Sequence, residues 1–168
     1  MSTKQLSISS LFMALVIILS ASIFSIPVPG GHFYFNGIVI FLVGLIFPPV
    51  QAVIIAGIGS FLGDFFFYPA PMFVTLVTHS LQVLVISLII SQKTKPINPI
   101  RTIIALFIGS IIDLVGYGIG RAFIYASPEY ALLKLPFDIL AIVLGAGVAY
   151  FIYYHTGFVR QFQRAWKR

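Results

Sequence analysis

Cysteine is absent from all 168 residues, which removes disulfides, thiolate metal sites, iron–sulfur clusters and a cysteine nucleophile together. Charge is nearly as scarce. Asp, Glu, Lys and Arg make up 8% of the chain and only four of them are acidic, against roughly 25% charged residues in an ordinary soluble domain. No polar linker or low-complexity stretch divides the sequence, so residues 1–168 read as a single unit. Motifs for catalysis are missing too. There is no GxxxxGKS or GxxxxGKT loop to hold the phosphates of ATP, and neither HExxH nor GxSxG occurs. Three scattered histidines do not make a metal site. The sequence therefore supplies no catalytic, metal-binding or cofactor assignment.

What fills the chain instead is apolar: 60% hydrophobic residues and a mean hydropathy of +1.07. A soluble domain of this length cannot hide that much apolar surface, so the expected class is an all-α integral membrane protein. The net charge of +6 sits at helix ends, which speaks for a lipid bilayer rather than nucleic acid. A membrane span needs about 20 mostly apolar residues. That rule places helices near 8–26, 37–50, 50–66, 72–91, 101–119 and 136–155, with Pro48-Pro49 turning the chain between the second and third. The first apolar run reaches Ile26 without a small-residue cleavage site, so it reads as a membrane helix and not a secretory signal.

Basic residues choose the count, because short cytoplasmic loops collect Lys and Arg. A six-helix bundle with both termini cytoplasmic puts Lys4, the Lys93, Lys95 and Arg101 loop, and the Arg160, Arg164, Lys167 and Arg168 tail on one side. Five spans separate the basic loop from the basic tail. Six spans leave three outer loops: Pro27 to Asn36, Phe65 to Pro71, and Gly120 to Leu135. The first two are rich in aromatics, Pro and Gly, a composition that suits either a lid over a flat ligand or an interfacial aromatic belt.

Polar groups inside a span are costly and each calls for an account. Asp113, Tyr117 and Arg121 share one helical face at i, i+4, i+8, and Thr75, His79 and Gln82 share another at i, i+4, i+7. Either stripe can face a ligand cavity or be satisfied by packing within the bundle. Asp138, just after Pro136, fits the first turn of a sixth helix, where a carboxylate favours the positive end of the helix dipole. Asn36 fits the N-cap of the second helix. Gly59 with Gly63, Gly116 with Gly120, and Ser10 with Ala14 are small-xxx-small pairs that allow close helix approach. Asp64 and Asp113 raise an intramembrane hydrolase, but Phe61-Leu62-Gly63-Asp64 lacks the first glycine of the GxGD pattern and the two carboxylates fall at different depths.

The stretch from His32 through Phe33, Tyr34, Phe35, Asn36 and Gly37 to Leu42, followed by Gly57-Ile58-Gly59-Ser60-Phe61-Leu62-Gly63-Asp64, resembles the substrate-binding S-components of energy-coupling factor (ECF) vitamin transporters. Gly116-Tyr117 and Leu135-Pro136-Phe137-Asp138 are similar to further landmarks of that family. Asp138 and Ala141 stand where relatives commonly carry Asn and Gln, and His79 where some carry Lys. The resemblance implies a multi-pass subunit of a prokaryotic cell membrane that captures a vitamin from outside. It implies closure of the first loop over the vitamin, and toppling of the bundle on a module of one membrane coupling protein and two ATPases. It assigns Ser10 and Ala14 to the coupling-protein contact. Stacking on Phe33, Tyr34, Phe35 or Tyr68 is expected, with polar contacts from Asn36, Thr75, His79, Gln82, Asp113, Tyr117, Arg121 and Asp138. Within the family the chain looks closest to hydroxymethylpyrimidine or pyridoxine members, with pantothenate second, through Arg121, and riboflavin third. An intramembrane hydrolase and a scaffolding membrane subunit are the readings from other classes.

Overall fold

The first helix stops well before the apolar run ends. In the computed structural model, which describes residues 2–21, 24–90 and 98–167, helix α1 spans Thr3–Leu19 instead of reaching Ile26. It opens on a capping box: Ser2 Oγ accepts from the Gln5 N–H at 3.2 Å and Gln5 Oε1 accepts from the Ser2 N–H at 3.1 Å. Pro27 and Pro29 lack the N–H a continuing helix needs. The chain forms an antiparallel hairpin there, β1 Ser25–Val28 against β2 Gly31–Tyr34, with Val28 opposite Gly31. Its turn is Pro29-Gly30, and Gly30 takes φ +81°, the left-handed value a type II turn requires.

Helix α2 spans Asn36–Ile46, and its run from Ile40 to Leu45 is buried on every side, so it occupies the centre of the bundle. The cap position belongs to Phe35, without a side-chain cap bond. Asn36 is therefore not the expected N-cap; its Nδ2 donates to Ser20 Oγ at 2.9 Å and ties α2 to the end of α1. Pro48-Pro49 separates α2 from α3, as the sequence indicates, with Pro49 in the first helical position of α3, Pro49–Phe67. Ser87 donates to the Phe47 carbonyl at 2.7 Å beside that break. A π turn at Ile54–Ile58 interrupts α3.

Helices α4 (Met72–Ile90) and α5 (Pro99–Tyr125) pack closely, because a Cβ at Gly116 would overlap Thr78 and one at Gly120 would overlap Val74. Gly63 does the same against α1, where a Cβ would stand 2.5 Å from that of Ser20. These glycine pairs are internal contacts. By contrast Ser10 and Ala14 lie on an exposed face of α1.

The third outer loop is the largest departure from expectation. α5 continues through a π turn, Arg121–Tyr125, and α6 runs over Pro128–His155, leaving only Ala126 and Ser127 between them. The start signal is Ser127-Pro128-Glu129: the Ser127 hydroxyl accepts from the Tyr130 N–H, and proline takes the first helical position. Pro136, the expected entry, lies inside α6. Asp138 is consequently far from the first turn, and the helix dipole does not account for it. The final helix, α7 Phe158–Lys167, is amphipathic: Phe162 and Trp166 pack on Phe47, Phe158 and Phe162 on Phe12, and Arg160 and Arg164 point outward.

Four helices, α3, α4, α5 and α6, are long and apolar enough to cross a membrane, whereas α1 and α2 are shorter apolar helices. Contacts at the two ends alternate along the chain. Gln5 reaches Trp166, Phe47 reaches Ser87 and Thr102 reaches Tyr154 at one end. Ser20 meets Asn36, Asp64 meets Thr75 and Arg121 meets Asp138 at the other. The Lys93 and Lys95 charges used to count spans lie outside the described residues.

Candidate functional site

The hairpin end holds a cavity of about 820 Å³. Its roof is the hairpin, its floor comes from α4 and α5, and one wall is the face of α6 from Tyr130 to Ile142. Sites of roughly 300–1,000 Å³ are typical of small-molecule pockets, mostly apolar with a few placed polar groups. Phe33, Tyr34, Asn36, Tyr68, His79, Asp113, Tyr117, Arg121 and Asp138 all line it. Three of the expected residues do not. Phe35 faces outward and packs edge-on against Phe33 at 5.4 Å, while Thr75 and Gln82 are buried one layer behind the wall.

That second layer organises the floor. The Tyr117 hydroxyl donates to Thr75 Oγ1 at 2.8 Å, and Thr75 donates to Asp64 Oδ2 at 2.5 Å. His79 Nε2 lies 3.1 Å from the Tyr117 hydroxyl, and its Nδ1 donates to Gln82 Oε1 at 2.7 Å, since that oxygen can only accept. The i, i+4, i+7 stripe on α4 thus converges with α5 in one network, as amphipathic spacing allows. The bond to Gln82 and the contact with Tyr117 hold the ring at the cavity edge.

On the opposite wall, Arg121 Nη1 pairs with Asp138 Oδ2 at 2.6 Å, and Lys134 Nζ with Asp138 Oδ1 at 3.3 Å. Arg121 is only 4% exposed. Lys134 escapes sequence reasoning as a site residue because a helix begun at Pro136 leaves it in a loop. The Ser127-Pro128 start puts Lys134 and Asp138 on one face at i, i+4. The hairpin turn rests on the same lysine: a Cβ at Gly30 would stand 2.9 Å from Lys134 Cβ, and one at Gly31 3.4 Å from its Cε. Asp64, His32, Tyr125 and Tyr130 also line the cavity. Among the described residues no cluster of His, Asp and Glu is arranged to hold a metal ion.

Comparison with known proteins returns a family model described as ECF-type riboflavin transporter, S component, matching residues 1–156. A curated protein of Pyrococcus woesei, described as an uncharacterized protein in gap 3'region, is 28% identical over 133 residues. That alignment covers 76% of this chain and 87% of the other.

Proposed function

The chain belongs to the ECF-type riboflavin transporter S-component family, a family of membrane vitamin-transporter subunits and not of enzymes, and on that footing we propose that it captures a flat, hydroxyl-bearing heteroaromatic vitamin in the cavity under the β1–β2 hairpin. The observation that carries this reading is the cavity itself. Some 820 Å³ is lined by aromatic side chains from the hairpin and by polar groups of α4, α5 and α6. Aromatic walls take flat rings by stacking, and the polar groups fix orientation.

Riboflavin becomes the first ligand to test. Its tricyclic ring and polyol tail suit a cavity in the upper part of the usual size range, and the family description names it. Hydroxymethylpyrimidine and pyridoxine form the second reading, supported by the polar floor of Asp64, His79 and Tyr117, which suits a single ring with short polar arms. Pantothenate ranks behind them, since the Arg121 guanidinium expected to meet its carboxylate already shares its charge with Asp138.

In this reading α1 to α6 cross a prokaryotic cell membrane with both termini cytoplasmic, and the hairpin faces outside. The loaded bundle is delivered by toppling on a coupling protein driven by two ATPases, with Ser10 and Ala14 of α1 as the contact. Their exposure on α1 supports that role. Fluorescence titration of the purified chain with riboflavin, hydroxymethylpyrimidine, pyridoxine and pantothenate tests the capture step. Saturable, one-to-one binding of one of the first three is expected. Binding of none removes the reading.

A further inference from the structure

The cavity wall contains three carboxylates, Asp64, Asp113 and Asp138, and two permanent cations, Arg121 and Lys134. Both cations belong to Asp138, at 2.6 and 3.3 Å. Asp64 is held by the Thr75 hydroxyl at 2.5 Å. Asp113 is left over. No hydrogen-bond donor among the described residues reaches its Oδ1, although that atom is buried. The nearest basic nitrogen is His79 Nδ1, 3.9 Å away, and its hydrogen is committed to Gln82 Oε1 at 2.7 Å. A buried acceptor without a donor is costly to leave unmade, and in a binding protein the missing donor is a natural feature of the ligand.

We propose that Asp113 is the acceptor reserved for an N–H or O–H donor on the ligand ring, so that the site favours a neutral or cationic donor-bearing group there over an anionic one. The inference rests on the capture reading above and deepens it, by naming which chemical class the cavity admits. Its physical basis is a one-carboxylate excess. An anion placed beside Asp113 meets a carboxylate with no cation paired to it, because Arg121 and Lys134 both lie against Asp138. A ring bearing an imide N–H, an exocyclic amine, a phenolic hydroxyl or a protonated ring nitrogen supplies the donor that Asp113 lacks. The unpaired acceptor also has a signature in the protein without ligand. Removing the Asp113 charge lowers the cost of burying that side chain without a cation, so it weakens binding without weakening the fold.

The test is a cycle on the full chain in detergent, with two ligand pairs and one substitution. The first pair is riboflavin and its derivative methylated at the ring imide nitrogen. The second is hydroxymethylpyrimidine and its analogue lacking the exocyclic amine. For whichever parent binds, the donor-blocked analogue is expected to bind the unaltered protein about tenfold or more weakly, the loss of one hydrogen bond to a charged group. Asp113→Asn, which keeps an amide oxygen but loses the charge, is expected to lower affinity for the parent and to narrow the difference between parent and analogue. Its thermal midpoint without ligand is expected to be no lower than that of the unaltered chain. The proposal is overturned if the blocked analogue binds the unaltered protein as tightly as the parent, or if pantothenate binds as tightly as either ring. A lower midpoint in Asp113→Asn with unchanged affinity overturns it as well, by showing a structural role. Those outcomes leave vitamin capture standing, whereas binding of no parent at all removes both.

Discussion

Thr75 Oγ1 donates to Asp64 Oδ2 over 2.5 Å, joining α4 to the last turns of α3 at the cavity floor. The same hydroxyl accepts from Tyr117 on α5 at 2.8 Å, so one threonine fixes the relative position of three helices. Thr75→Val keeps the shape and removes the hydroxyl. It leaves the Asp64 carboxylate without its hydroxyl donor and the Tyr117 phenol with His79 Nε2 alone, at a cost of about 1–3 kcal/mol. The expected result is a lower thermal midpoint and weaker vitamin binding, with Thr75→Ser restoring both. A Thr75→Val protein of unchanged stability and affinity would falsify the role assigned to this network.

Close packing of α4 on α5 is set by glycine. A Cβ at Gly116 would overlap Thr78, whereas one at Gly118, two residues on, meets nothing within 4 Å. Gly116→Val is expected to destabilise by about 1–3 kcal/mol or more through overpacking. Gly118→Ala is expected to be neutral or slightly stabilising, since alanine favours helix over glycine by about 1 kcal/mol. Folded yield and thermal midpoint in the same detergent distinguish the two. Equal behaviour of the two variants would contradict a close approach of α4 at Gly116.

The pairing of Arg121 with Asp138 joins the end of α5 to α6, with the guanidinium almost wholly buried. Arg121→Met leaves Asp138 with Lys134 alone, and loss of one partner of a buried pair costs about 3–5 kcal/mol. Combining it with Asp138→Asn is expected to cost less than the sum of the single changes, with a coupling of about 1 kcal/mol or more. Strict additivity in the melting of the four proteins would show that the two groups do not interact.

Ser10 and Ala14 are exposed on α1, away from the cavity. Ala14→Leu is therefore expected to leave vitamin affinity of the isolated chain unchanged and to abolish co-purification with the coupling protein and uptake into cells. Loss of vitamin binding by the isolated chain would show instead that this face supports the fold.

Legibility in the sequence follows the physics of each signal. Apolar runs and Pro48-Pro49 locate the long helices, because length and a missing N–H are local properties. Helical spacing groups Thr75, His79 and Gln82, yet it cannot say that only His79 reaches the cavity while the other two stand behind it. The hairpin is hidden because Ile26 and Val28 extend an apolar run, and only Pro27 and Pro29 signal the change. The start of α6 is misplaced because Pro136 reads as a helix entry when it follows a supposed loop, although Ser127-Pro128-Glu129 carries the stronger N-terminal pattern. That misplacement conceals the pairing of Lys134 and Asp138 and makes Arg121 look free for a ligand carboxylate.

The central claim, capture of a heteroaromatic vitamin under the hairpin, is tested most directly by mass spectrometry of small molecules released from the purified, detergent-solubilised chain. The account predicts one co-purifying compound with a flat, donor-bearing ring, in near-equal ratio to protein and in a lower ratio in Asp113→Asn prepared in parallel. Release of nothing from protein that also fails to bind riboflavin, hydroxymethylpyrimidine or pyridoxine would contradict it, and a scaffolding role for this membrane subunit would then take its place.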